Sequence, residues 1–260
     1  RKAVRIALAS FLILVLPFFS RAATADFADF AFQPHPGARL PLGLSFADED
    51  GRAVTLGQFF AGKPVILVLD YLRCHTLCGL TLENLVAGLD GLPLDAGRDF
   101  QVVTISIDPS DNATDLAAAK AKYLAGYHHA EPNNGWHFLG GRRTAVQQVA
   151  DTIGFPYRYE PALDQYIHPA GFVIAAPDGS ISRYLLGVGS QAADLKAALA
   201  DAARGRTVGL VTRLLLLCHG DTPQLGRYSL PIEGAFVVAN LAAMIGGIAL
   251  FVAVRRRRHG

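Results

Sequence analysis

Two strand-like runs rich in branched apolar residues, with one amphipathic stretch between them, restrict this chain more than any other feature. Val65 to Leu69 is continuously apolar and rich in branched residues, with the length of a buried strand, and Gln101 to Ile107, carrying Val102, Val103, Ile105 and Ile107, is a second strand-like run. Between them, Leu82, Leu85, Val86 and Leu89 fall at the 3.6-residue spacing of one helix face within Leu80 to Leu89. Strand, helix and strand in that order require a parallel pair joined by a crossover. The pattern continues downstream. A helix capped by Asp111, Asn112 or Thr114 is expected to run through Ala125, and another from Thr144 to Ile153, stopped by Gly154. Phe172 to Ala176 and Ile181 to Leu186 flank Pro177-Asp178-Gly179-Ser180, a turn that predicts an antiparallel hairpin. Ala192 to Ala203 supplies a final helix. The expected fold is α/β: a mixed sheet with helices on both faces.

The first parallel strand ends at the most reactive place in the chain. Two of only three cysteines, Cys74 and Cys78, lie four residues apart just beyond it, and ligands of open α/β sheets gather at the carboxyl ends of the strands. At this spacing, in a loop leading into a helical turn, both sulfurs can lie on one side of the backbone. They can then close a disulfide or grip one soft metal ion. The spacing is one residue longer than a thioredoxin-type C-x-x-C, so exchange chemistry alone is not the direct reading. A purely structural disulfide is disfavoured, because closing so short a loop stabilises little.

The two ends of the chain set the compartment. Arg1, Lys2 and Arg5 precede an apolar stretch from Ile6 to Phe19 and the small residues Ala23-Thr24-Ala25, the order of a secretory signal peptide. Residues 1–25 are therefore expected to be a signal peptide cleaved near Ala25. Residues 26–41 follow as a linker, with three prolines and no sustained period from Ala28 to Pro41. At the other end, Ala235 to Val254 carries no charge and is followed by Arg255, Arg256, Arg257 and Arg258. About 20 apolar residues span a bilayer, and basic residues stay on the cytoplasmic side. The expectation is one transmembrane helix at 232–254 and a basic cytoplasmic tail at 255–260. The domain at 42–205 would then face a periplasm-like space, joined through an amphipathic segment at 206–231. That compartment permits disulfides. With a net charge of only +2 and part of it in the terminal arginines, the composition gives no reason to expect a nucleic-acid partner.

A metal site would need more than two sulfurs. Cys218 is remote, and among eight histidines His128 and His129 lie in a polar stretch, His35 and His259 in a linker and a tail. His137 follows Trp136 at a strand-like start and reads as a core or surface residue. His75, His168 and His219 remain as candidates, and His168 stands out because it precedes the strand beginning at Phe172.

Four stretches carry a resemblance to a known family. Leu69-Asp70-Tyr71-Leu72-Arg73-Cys74-His75-Thr76-Leu77-Cys78, Ser106-Ile107-Asp108-Pro109, Trp136-His137-Phe138-Leu139-Gly140 and His168-Pro169-Ala170-Gly171 occur in the order found in the Sco/SenC proteins of cytochrome oxidase assembly. The similarity extends over roughly residues 40 to 205. It implies a thioredoxin-like domain in which Cys74, Cys78 and His168 bind one copper ion, as Cu(I) or Cu(II). The partner it implies is the copper-site apoprotein, oxidase subunit II. Two thiolates suit Cu(I) and an imidazole also allows Cu(II), provided the pair is reduced. The chain departs from the family's common form, which has proline after each cysteine, by carrying His75 and Gly79. Gly79 would loosen the turn into the helix. His75 is a candidate extra ligand hampered by its neighbour Cys74, and Asp108 is expected to orient the site or cap a helix.

Three functions follow. The first is a copper chaperone anchored in the inner membrane with its domain in the periplasm. The second is a thiol-disulfide oxidoreductase in which Cys74 and Cys78 cycle without metal. The third is a copper or redox sensor that involves Cys218.

Overall fold

A computed structural model describes residues 30–73, 78–129, 135–189 and 191–207. Strands are β1 (Ser45–Ala47), β2 (Ala53–Thr55), β3 (Val65–Asp70), β4 (Gln101–Ser106), β5 (Trp136–Leu139), β6 (Arg158–Glu160), β7 (Gln165–Ile167), β8 (Gly171–Ala175) and β9 (Ile181–Leu186). Helices are α1 (Cys78–Asp90), α2 (Ala113–Leu124), α3 (Arg143–Ile153) and α4 (Ala192–Ala203), with a 3-10 turn at Leu56–Phe59. The main sheet has the order β5-β4-β3-β8-β9. β3, β4 and β5 run parallel, while β8 is antiparallel to β3 and β9 to β8. This is the mixed α/β, thioredoxin-like sheet expected from the sequence.

Alternation along β3 explains why both faces are covered. Val65, Leu67 and Leu69 point to one side, where they join Val103, Ile105, Val173 and the α3 residues Val146, Val149 and Ile153. Ile66 and Val68 point to the other and join Leu82, Leu85 and Leu89 of α1, Leu116 of α2 and Leu195 and Leu199 of α4. Every residue of β3 and β4 is buried, as a strand enclosed on both faces requires. Fully burying each such side chain is worth about 1.5–3 kcal/mol against exposure.

Local signals set most boundaries. Asn112, one of three candidate caps, holds the start of α2: its side chain accepts from the Thr114 and Asp115 amides, and Asp115 reaches back to the Asn112 amide at 3.0 Å. Asp108 does not cap that helix. Gly154 ends α3 with φ +65, and a Cβ there would lie 1.8 Å from the Gln33 carbonyl oxygen. The stretch expected as a linker has no long strand of its own between 30 and 41, yet it is tied to the domain. The Gln33 amide donates to the Gly154 carbonyl at 2.7 Å, Leu40 donates to Gly179 at 2.9 Å, and Phe32 packs edge-on against Phe155 at 5.2 Å.

Among the described residues no helix is long and apolar enough to cross a membrane. The signal peptide at 1–25, the segment 206–231 beyond Thr207, the helix expected at 232–254 and the tail at 255–260 lie outside the described residues, as do Cys218 and His219.

Candidate metal centre

The site is built where β3 ends and β8 begins. Val65 lies opposite Ala175 and Leu67 opposite Val173 in the antiparallel register, so the start of β8 meets the carboxyl end of β3. Gly171 makes that meeting feasible. Its φ is +134, and a Cβ would come within 2.7 Å of the Leu185 carbonyl oxygen and 2.9 Å of the Leu186 Cα. The turn His168-Pro169-Ala170-Gly171 is thereby held beside Asp70, the last residue of β3.

The His168 side chain is buried, with 5 % exposed, and its ring lies over Phe155 at 5.5 Å with 28° between the planes. The Phe155 ring comes just after the left-handed Gly154. His168 Nδ1 is 3.0 Å from the Pro169 carbonyl oxygen. A carbonyl only accepts, so Nδ1 carries the proton and donates it. Burial pushes the His168 imidazole below its ordinary value, outweighing the Pro169 hydrogen bond that raises it. The ring is therefore neutral near pH 7, with its lone pair on Nε2. That nitrogen is buried and has no hydrogen-bond partner among the described residues. Asp70 Oδ1 lies 3.7 Å from it, beyond hydrogen-bond distance. A buried polar atom left this way is unusual, and a metal is one of the few occupants that would satisfy it.

The remaining donors follow from the chain. Cys78 is the first residue of α1, and the backbone from Arg73 leads directly into the cysteine segment. Cys74 and His75 lie outside the described residues, as does the Cys78 side chain, so the site is seen from its histidine side. Gly79 is buried within α1, beside Tyr123 of α2. His137, set aside as a ligand, donates from Nε2 to Gln101 Oε1 at 3.0 Å and packs against Phe59 with ring centroids 4.4 Å apart. His128 and His129 engage Asp90 and Asp95 far along the chain from the cysteines.

Asp108 has a different set of partners from a helix cap. Its Oδ1 accepts from the Ser110 amide at 2.9 Å and the Ser110 hydroxyl at 2.7 Å, and its Oδ2 faces Arg73 Nη2 at 3.1 Å. Four residues with a place in this site were not singled out from the sequence: Asp70, Arg73, Asp111 and Phe155. Asp70 and Arg73 stand inside the motif that contains the cysteines, which was the available signal. Asp111 reads from the sequence only as a candidate cap. Phe155 had none, since nothing local ties an aromatic after α3 to a histidine thirteen positions later.

With this geometry in place, the chain can be set beside known proteins. The family model described as SCO1/SenC matches residues 38–204. The chain belongs to the SCO1/SenC family. Solved structures agree on the fold of this SCO1/SenC domain. An Aquifex aeolicus VF5 protein with a proposed electron-transfer role is 27% identical, with a TM-score of 0.56 over 66% of this chain and 96% of that one. Arabidopsis thaliana ScoI with copper bound is 20% identical, with a TM-score of 0.50 over 66% of this chain and 98% of that one. BsSco, described as a Sco-family cytochrome c oxidase assembly protein with a disulfide switch, is 22% identical, with a TM-score of 0.50 over 66% and 97%. No curated relative matches the chain.

Proposed function

We propose that this SCO1/SenC protein is a copper chaperone for the binuclear copper centre of a respiratory cytochrome oxidase, with Cys74, Cys78 and His168 as the ligands. The observation that carries the reading is His168 Nε2: neutral, buried and without a hydrogen-bond partner among the described residues, at the strand end where the cysteine segment begins. Two thiolates and one imidazole suit both copper oxidation states. The copper held by a Sco structure of the same fold supports the choice of metal. Asp108 tethers Arg73 beside the site and acts through it, and His75, hampered by its neighbour Cys74, stays a candidate extra ligand outside the proposed set. The partner is oxidase subunit II. The apolar, arginine-flanked segment at 232–254 anchors the protein in the inner membrane, with its domain in the periplasm.

A thiol-disulfide oxidoreductase is the competing reading, and the same two sulfurs would serve it. Thiol exchange can use an imidazole as a base but does not require one, whereas a three-donor copper site needs that nitrogen as a ligand, which favours the chaperone. The test is complementation of a deletion strain under copper limitation, read as copper content of the assembled oxidase. The unaltered chain should restore it and His168→Ala should not. Full restoration by His168→Ala would favour the oxidoreductase, and an oxidase that loads normally in the deletion strain would favour the sensor.

A further inference from the structure

Arg73 is the last described residue before the cysteine segment, and it is held with unusual thoroughness for a half-exposed side chain. Its Nε donates to Asp111 Oδ1 at 2.8 Å, while its Nη2 lies 3.1 Å from Asp108 Oδ2 and donates to the Ser110 hydroxyl. All three acceptors belong to the single turn between β4 and α2. That turn is itself fixed from inside: the Ser106 hydroxyl donates to Asp111 Oδ2 at 2.5 Å, and Ser110 closes onto Asp108. The Asp111 side chain is fully buried, so both of its oxygens are spoken for, one by Ser106 and one by Arg73. Burying a carboxylate is unfavourable unless it is paired. Helix capping does not explain the arrangement, because Asn112 already caps α2.

The clamp's position gives it a purpose. Ser106 lies directly opposite Asp70 in the β3–β4 ladder, and the Ile107 amide donates to the Asp70 carbonyl at 3.0 Å. Asp70 is the residue beside His168. The turn that grips Arg73 is thus rigidly connected to the strand end that faces the histidine.

We propose that Arg73 is a positioning residue for the metal centre: clamped by Asp108 and Asp111, it fixes the chain where it enters the cysteine segment and so sets the thiolate pair relative to His168. The inference rests on the copper reading above. It separates the two oxidation states. Cu(I) is satisfied by two thiolates from one segment, whereas Cu(II) also draws on the imidazole and depends on the distance between that segment and His168. Lysine keeps the charge at this position and loses the two-pronged geometry.

The test uses the full chain, reduced, with Arg73→Ala and Arg73→Lys, titrated separately with Cu(I) and Cu(II). Arg73→Ala should weaken Cu(II) binding about tenfold, the scale of lost ligand support, and leave Cu(I) binding within about twofold. The copper reduction potential then rises by about 59 mV, the one-electron equivalent of tenfold. Arg73→Lys should recover part of that shift and remains informative should the alanine variant fold poorly. In the metal-free chain, amide exchange at Leu72 and Arg73 should quicken in Arg73→Ala. Equal losses of both ions, or copper binding indistinguishable from the unaltered chain, would overturn the clamp and leave the copper reading standing. An unaltered chain that takes up neither ion overturns both.

Discussion

Two imidazoles are withdrawn from water in this domain, one on the edge strand β5 and one ahead of β8, and they differ in what their nitrogens do. His137, on the edge strand β5, donates to Gln101 and lies against Phe59. His168, ahead of β8, donates through Nδ1 to the next residue's carbonyl and keeps Nε2 unbonded among the described residues. Burial pushes both below the ordinary histidine value, His137 to about 4. Burial and a lowered value are therefore common to a packed histidine and a candidate ligand. What distinguishes them is a fully buried nitrogen without a partner among the described residues, at a strand end that the cysteines follow in sequence. The comparison also shows how the fold creates such an atom: Pro169 supplies a carbonyl and no amide, Phe155 covers a ring face, and Gly171 draws the turn against β3 and β9.

The largest expected difference between the two regions is in copper binding. His168→Ala should remove the Cu(II) form, with affinity falling by about 100-fold or more, since loss of supporting groups alone reaches 10–100-fold. His137→Ala should leave Cu(II) affinity unchanged, as measured by competition with a chelator of known affinity. Equal effects from the two variants would erase the distinction.

The pH dependence of stability should expose what the two share. A histidine whose folded value lies below its unfolded one binds more protons when unfolded, so stability is complete above about 6.5 and falls as pH drops toward the folded value. For His137 that window runs from 6.5 down to about 4, worth up to about 3 kcal/mol by the free energy of one pH unit. His168 acts in the same direction. His129, raised by its hydrogen bonds to Asp95 and Asp90, acts in the opposite sense and stabilises below its unfolded value. Urea unfolding of the metal-free chain at pH 7 and pH 5 should show the loss, and His137→Gln should reduce the slope. An unchanged slope would contradict the burial argument.

Backbone changes should sharpen the contrast further. Gly171→Ala places a methyl group against Leu185 and Leu186 at a left-handed φ, and should destabilise by about 2 kcal/mol or more while also weakening Cu(II) binding. Asn112→Ala, which removes only the α2 cap, should cost about 1 kcal/mol in thermal or urea unfolding and leave copper untouched.

The parallel pair, α1, the final hairpin and α4 were legible in the sequence because each rests on a local period or turn signal. Ala192–Ala203 matches residue for residue, and α3 begins one residue early at Arg143. The hairpins β1–β2 and β6–β7 were not legible. Each strand is three residues long, too short to establish a period, and β6–β7 is set by Tyr166 packing on Tyr71 and Tyr159. The tie of residues 33–40 to Gly154 and Gly179 is made by backbone groups distant in sequence, which composition does not encode. For the proposed site, His168 and Asp108 stand in motifs that the sequence displays. Their actual partners, Phe155 for one and Arg73 for the other, arise only when strands from separate parts of the chain come into register.

The most direct test of the central claim is X-ray absorption at the copper edge of the Cu(II)-loaded, full-length chain beside His168→Ala and His137→Ala. The account predicts two sulfur ligands and one imidazole nitrogen in the unaltered chain, the same set in His137→Ala, and the nitrogen missing in His168→Ala. An imidazole that persists in His168→Ala, or disappears in His137→Ala, would contradict it.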